Sequence, residues 1–247
     1  VLLICMGDIK KENWMELKPL CLIAARGGSK GVPGKNLKSI GGKPLLVNGI
    51  NKAIKSRVFR YVVVSTEDNK IATIAKQSGA DVPFMRPKKL ATDTATTIDV
   101  ILHVNKKLEN LGYKFNVIVN LDITSPFIRT KDIKGALSLL KKKKCDGVFG
   151  VYKQHLNPYF NIVEKNSRGF LKVVKKPRIM PKSRQSAPIV YQMSGFHVLQ
   201  KSSLLKYKTW YMPKILPYEI PIQTGLMIDT NYEFQIAKNM FKIFNTD

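Results

Sequence analysis

Residues 24–36 read AARGGSKGVPGKN. Four glycines surround Arg26, Lys30 and Lys35, and the run follows the apolar stretch Leu20–Ile23. Glycine lets the backbone turn so that successive N–H groups converge, and converging N–H groups hold an anion. Arginine adds a planar fork of donors and lysine a mobile point charge. The chemistry this combination suits is the binding of a phosphate chain. The spacing matches neither G-x-x-x-x-G-K-[ST] nor G-x-G-x-x-G. A solvated surface turn is the competing reading, and charge placed directly after the first predicted strand weighs against it.

Such a loop needs elements to hold it, and strand and helix signals alternate along the chain. Leu20–Ala25, Tyr61–Thr66, Asp81–Phe84 and Asn116–Leu121 read as short buried strands, with "GVFGV" and "SGFHVL" following later. Between them, helical spacing appears over Leu45–Ser56, at Ile71, Ile74 and Ala75, at Ile98, Ile101, Leu102 and Leu108, and at Ile133, Ala136, Leu137 and Leu140. Asp68 or Asn69 caps the second helix, Gly79 ends it, and Met227–Met240 reads as a closing helix. This rhythm predicts an α/β fold, a mostly parallel sheet with helices on both faces. In such sheets ligands bind beyond the carboxyl ends of the strands, where the glycine-rich loop lies. The rhythm breaks over 156–190, where Pro158, Pro177, Pro181 and Pro188 fall among many basic residues. That stretch reads as an inserted hairpin or arm. Residues 1–14 read as an extension, leaving one domain over 15–247.

The net charge of +25 points to polyanionic partners, with a lysine-rich proteome as the bland explanation. No recognition helix, zinc knuckle or RNA-binding sheet signature accompanies it, so nucleic acid is not expected as a partner. Cys5, Cys21 and Cys145 are scattered and odd in number, which excludes a disulfide framework and suits a reducing cytoplasm. No stretch reaches the ~18 apolar residues of a membrane span, so no membrane insertion is expected. His103 and His197 sit on a predicted helix and strand and read as structural. His155 opens the insertion.

Beyond these readings, the loop resembles the signature loop of the acylneuraminate cytidylyltransferases, the CMP-sialic acid synthetase family. Four further segments resemble that family's in order: "VVVSTEDNKIATIAKQSGADV", "RPKKLATDTATT", "LDITSPFIRTKDI" and "MIDTNYEFQIA". The resemblance spans about residue 19 to 240. It implies a Rossmann-like nucleotidyltransferase fold with an inserted dimerisation arm, hence a homodimer. It also implies that CTP is joined to a nine-carbon 2-keto sugar acid with release of pyrophosphate. Carried over by position, Arg26, Gly27, Gly28, Ser29, Lys30 and Lys35 hold the triphosphate, with Arg26, Lys35 and Asp229 catalytic. Asn36, Arg86, Thr97 and Asp122 contact the nucleotide. Ser125, Arg129, Arg184, Gln185 and Gln192 face the sugar. Asp229 holds a divalent ion, Mg2+ or alternatively Mn2+.

Three departures stand out. The family's closing motif has two aspartates, and here Met227 occupies the first position. Thioether sulfur is a poor ligand for a hard ion. Asp122 stands where glutamine is usual, and Gln192 and Ser194 replace an arginine and an asparagine. The sugar therefore stays open among legionaminic, pseudaminic, N-acetylneuraminic and other bacterial nonulosonic acids. A 3-deoxy-manno-octulosonate enzyme is a further alternative, although that branch tends to carry a tyrosine-serine-threonine loop. A basic nucleic-acid-binding protein and a member that binds CTP but turns over poorly complete the alternatives.

Overall fold

The computed structural model describes residues 17–243, so the expected extension at 1–14 and Cys5 lie outside the described residues. The strands are β1 (Pro19–Ala24), β2 (Ser39–Ile40), β3 (Lys43–Pro44), β4 (Tyr61–Ser65), β5 (Val117–Leu121), β6 (Gly147–Gln154), β7 (Val163–Lys165), β8 (Leu171–Val173), β9 (Val190–Gln200) and β10 (Ile215–Glu219). The helices are α1 (Leu45–Ser56), α2 (Asn69–Gln77), α3 (Thr97–Asn110), α4 (Thr130–Lys143), α5 (Lys201–Tyr207) and α6 (Asn231–Ile243).

Six strands form one sheet in the order β10-β6-β9-β5-β1-β4. All pairs are parallel except those made by β9, which runs antiparallel to β5 and β6. Alternation along β1 shows how the layers form. Leu20 and Leu22 pack with α3 residues such as Ile101 and Val104, while Cys21 and Ile23 pack with α1, α2 and α4 residues on the other face. Side chains of a strand point alternately to opposite faces, so one strand serves both helical layers.

A third apolar cluster positions the site. Val32 of the glycine-rich loop, Phe127, Ile228 and Phe234 of α6 are all buried together beside Ile40 and Leu45. Three loops that leave different strands are thereby fixed to one another. Each fully buried side chain of this size stabilises by about 1.5–3 kcal/mol.

Two expectations need correction. Asp81–Phe84 forms only an isolated bridge from Asp81 to Val63; Pro83 has no N–H with which to continue a ladder. The closing helix starts at Asn231 rather than Met227. The Glu233 carboxylate accepts from the backbone N–H groups of Asp229 (2.8 Å) and Thr230 (2.7 Å), which sets the helix start and leaves 227–229 outside it. The strand β10 and helix α5 have no counterpart in the pattern reading. β10 carries Pro217 at the sheet edge, the position where a strand tolerates proline. The insertion is the expected hairpin, β7 pairing antiparallel with β8.

Candidate active site

The loops after β1, β4, β5, β6 and β10, together with the start of the antiparallel β9, all open at one sheet edge. A cavity of about 330 Å3 lies there, lined among others by Arg26, Lys35, Asn36, Arg86, Thr97 and Thr124. A second cavity of about 390 Å3, lined by Lys18, Tyr113, Phe115 and Lys201, lies at the opposite edge and contains none of these groups.

The glycine-rich loop owes its course to two of its glycines. At Gly34 the backbone has φ 66°, which favours glycine, and a turn of 3-10 helix over Lys35–Leu37 follows. At Gly31 a Cβ would lie 1.9 Å from the carbonyl oxygen of Asp229. Only glycine lets the loop rest on the closing segment there. Asn36 Nδ2 donates to the carbonyl of Arg26 (2.8 Å), bracing the loop from within.

Each of the loop's three cations meets a carboxylate. Arg26 Nη1 lies 3.1 Å from Asp93 Oδ1, and Lys30 Nζ 2.6 Å from Asp93 Oδ2. Lys35 Nζ pairs with Asp229 Oδ1 at 3.1 Å and also donates to the carbonyl of Ile228. The N–H of Gly27 donates to Glu67 Oε1 (2.7 Å), and Glu67 Oε2 accepts from Arg86 Nη2 (2.8 Å). Gly27 therefore does not present its amide to the cavity as the sequence predicts; Gly28 and Lys30 are exposed and Ser29 lines the cavity. Burial lowers the Arg86 pKa, and the Glu67 charge opposes that shift. The Nε of Arg86 and the hydroxyl of Ser65 have no partner among the described residues. An orphaned buried donor on a cavity wall suits an incoming acceptor.

Asp122 is positioned by its own loop. Its Oδ1 accepts from the N–H (2.9 Å) and hydroxyl (2.7 Å) of Thr124, while the carbonyl of Thr124 accepts from Ile228 N–H (2.9 Å). Burial raises the Asp122 pKa above the usual carboxylate range; Lys35 pulls it down and Asp229 pushes it up. Asp122 and Asp229 thus share one electrostatic neighbourhood around Lys35. No group of three His, Cys, Asp or Glu able to hold a metal occurs among the described residues. Two carboxylates are nonetheless a sufficient protein share for Mg2+, which keeps waters and substrate phosphates as its other ligands.

The sugar-facing expectations fare less evenly. Ser125 is buried, its hydroxyl 3.1 Å from that of Ser194, which donates to the carbonyl of Gly225 (2.8 Å). It latches two loops to β9 rather than facing a ligand. Arg129 closes bidentately on Asp132, Nε to Oδ2 at 2.8 Å and Nη2 to Oδ1 at 2.7 Å, and that carboxylate raises its pKa. Its fork is committed at the start of α4. Arg184 and Gln185 sit exposed on the insertion and do not line the cavity. Gln192 does not line the cavity either, but its amide is held in a fixed orientation. Gln154 Oε1 accepts from the N–H groups of His155 and Leu156, and its Nε2 donates to Gln192 Oε1 (2.7 Å). That chain turns the Gln192 amide N–H toward Met227, whose sulfur, 4.0 Å away, is a weak acceptor. The donor remains available to a better partner. His197 packs between Phe149 and Trp210, and burial pushes its pKa down to about 4.

Glu67 and Asp93 were not singled out as site residues from sequence. Glu67 directly follows the predicted strand Tyr61–Thr66, and that location was its available signal; Asp93 lies in the connection before the helix that carries Ile98, with no such marker.

Residues 20–234 match the family model described as cytidylyltransferase. The chain belongs to the cytidylyltransferase family. It is 30% identical over 225 residues to the post-translational flagellin modification protein B of Campylobacter coli, covering 90% of this chain and 94% of that one. It is also 30% identical over 228 residues to a CMP-N,N'-diacetyllegionaminic acid synthase of Campylobacter jejuni, covering 92% and 96%. Among solved structures, a CMP:2-keto-3-deoxy-manno-octonic acid synthetase complexed with CTP superposes with TM-score 0.68 at 19% identity, covering 92% and 99%. At that identity the likeness speaks for the fold of this cytidylyltransferase and not for its sugar.

Proposed function

We propose that the protein transfers the cytidylyl group of CTP to a nonulosonic acid, giving the CMP-sugar and pyrophosphate for surface-glycan synthesis. The observation that carries this is the gathering of Arg26, Lys35 and Arg86 on one cavity, with Lys30 beside them on Asp93 and with Asp229 paired to Lys35. The triphosphate lies along Arg26, Lys30 and Lys35, and the base enters between Arg86, Leu90, Thr97 and Val100. The anomeric hydroxyl of the sugar attacks the α-phosphorus. A new P–O bond forms to the sugar as its hydroxyl proton passes to water, the bond to the β-phosphate oxygen breaks, and pyrophosphate leaves. Negative charge grows on the α-phosphate and on the leaving group. Arg26 and Lys35 stand ready to meet it, in a site fixed before the reaction begins.

Asp229, with Asp122 beside it, would hold a divalent ion, Mg2+ or alternatively Mn2+. When bound, the ion neutralises phosphate charge. Met227 contributes nothing to that set, since its sulfur faces Gln192. The Gln192 amide suits a carboxylate or acylamino oxygen of the sugar. A legionaminic-type acid is the first substrate to try, because a relative of similar length carries that name. The exposed hairpin supports a homodimer, and the enzyme would act in the cytoplasm; among the described residues no helix is long and apolar enough to cross a membrane.

The test is pyrophosphate release from CTP and Mg2+ with legionaminic, pseudaminic, N-acetylneuraminic and 3-deoxy-manno-octulosonic acids offered singly. Release with one of the first three supports the proposal and names the sugar. Release only with the octulosonate, or CTP binding with no turnover on any of them, sinks it.

A further inference from the structure

The carboxylates that meet the glycine-rich loop are of two kinds. Glu67 is enclosed, held by the almost fully buried Arg86, and takes up a backbone amide. Breaking such a buried pair is costly, so Glu67 fixes the loop's shape. Asp93 is different. Its side chain is 50% exposed, and its partners Arg26 and Lys30 are 36% and 82% exposed. Exposed pairs of this kind contribute little and come apart readily. Asp93 nevertheless uses both carboxylate oxygens on two cations at once, at 3.1 and 2.6 Å.

The segment that carries it is also attached lightly. Residues 91–96 join the short turn Lys88–Leu90 to the Thr96 cap of α3. The carbonyl of Thr92 accepts from Arg26 Nη1 at 3.2 Å, and Thr92, Asp93 and Ala95 line the cavity. The segment therefore lies across the cavity's phosphate end, with an anionic group on the two most accessible cations of the loop.

We propose that Asp93 is a built-in stand-in for the triphosphate. It occupies Arg26 and Lys30 until the nucleotide displaces it, and it returns to them as pyrophosphate leaves. A polyphosphate offers more charge and more oxygens than one carboxylate, so it wins when present and Asp93 wins once the product loosens. The inference rests on reading the loop as the triphosphate site.

Calorimetric binding of CTP and of inorganic pyrophosphate, without divalent ion or sugar, tests it. Asp93→Asn is expected to bind both ligands about three- to ten-fold more tightly than wild type. Pyrophosphate should also inhibit the variant's turnover more strongly. Asp93→Glu, which keeps the charge, should retain near wild-type affinity, and thermal melts of both variants confirm that they fold. Equal or weaker binding by Asp93→Asn overturns the stand-in while leaving the triphosphate site intact. A wild type that binds neither ligand overturns the site itself, and the stand-in with it.

Discussion

Lys35 and Arg26 are alike in charge but not in setting. Lys35 is nearly buried and tied to Asp229 and to the carbonyl of Ile228, whereas Arg26 is half-exposed and held by Asp93 and Thr92. Both face the same cavity. Removing a preorganised cation from the developing charge should cost each variant, Arg26→Ala and Lys35→Ala, about 2–4 kcal/mol of transition-state stabilisation, read from kcat/KM. Lys35→Ala carries a second penalty, because it leaves Asp122 and Asp229 facing each other without their shared cation. Its melting temperature should fall more than that of Arg26→Ala. Asp122 makes a complementary prediction. Its pKa is raised in the folded state, so folding prefers it protonated, and that preference weakens stability as pH rises through the carboxylate range. Asp122→Asn keeps the Oδ1 acceptor for Thr124 and removes the charge that folding disfavours. It should melt about 2–4 °C above wild type at pH 7, with the gap closing toward pH 3, while turnover falls. A variant that melts lower at pH 7 would show that the ionised form is favoured by the fold.

At the scale of elements, the cluster of Val32, Phe127, Ile228 and Phe234 does what no single strand can: it sets three loops in register. Ile228→Ala should destabilise by about 2–5 kcal/mol in chemical denaturation and lower CTP affinity together with stability. Loss of stability with unchanged nucleotide binding would mean the loops are held elsewhere. This cluster also marks the limit of what the sequence discloses. The strands β1, β4, β5 and β6 and the helices α1 to α4 were legible because each buries a regular apolar face, and α1 matches its expected bounds at Leu45–Ser56. The helix α6 was misplaced by four residues because its start depends on the Glu233 carboxylate folding back, not on apolar spacing. The glycine-rich loop could be read from glycine and charge alone. Its partners Glu67 and Asp93 were missed because they reach it from distant parts of the chain, and Asp229 was reached only through the family resemblance. The serine and arginine of "TSPFIR" carry polar side chains that suit a ligand equally well, and only packing shows them spent on Ser194 and Asp132.

The whole molecule leaves one large feature unpaired in the single chain. The hairpin β7–β8 and its flanks stand on their own hydrogen bonds, with Asn157 Nδ2 donating to the carbonyl of Pro188 (2.8 Å) to close the root. Phe170, Leu171, Ile179 and Ile189 along it are all exposed, Ile179 to 84%. Apolar groups displayed together on a strongly basic surface are what a contact face between subunits would need. In a two-fold dimer the arm of each subunit would reach the other, which would account for Arg184 and Gln185 lying away from the cavity of their own chain. Phe170→Lys combined with Ile179→Lys should convert a dimer to monomers in sedimentation. A sharper check uses two inactive variants, Arg184→Ala and Asp229→Ala, mixed in equal amounts and allowed to exchange subunits. If Arg184 serves the neighbouring site, half the dimers are mixed and one of their two sites regains both residues, so about a quarter of the wild-type activity should return. No recovery, with exchange verified, would place Arg184 in the site of its own chain, and an Arg184→Ala variant that is active alone would place it outside catalysis.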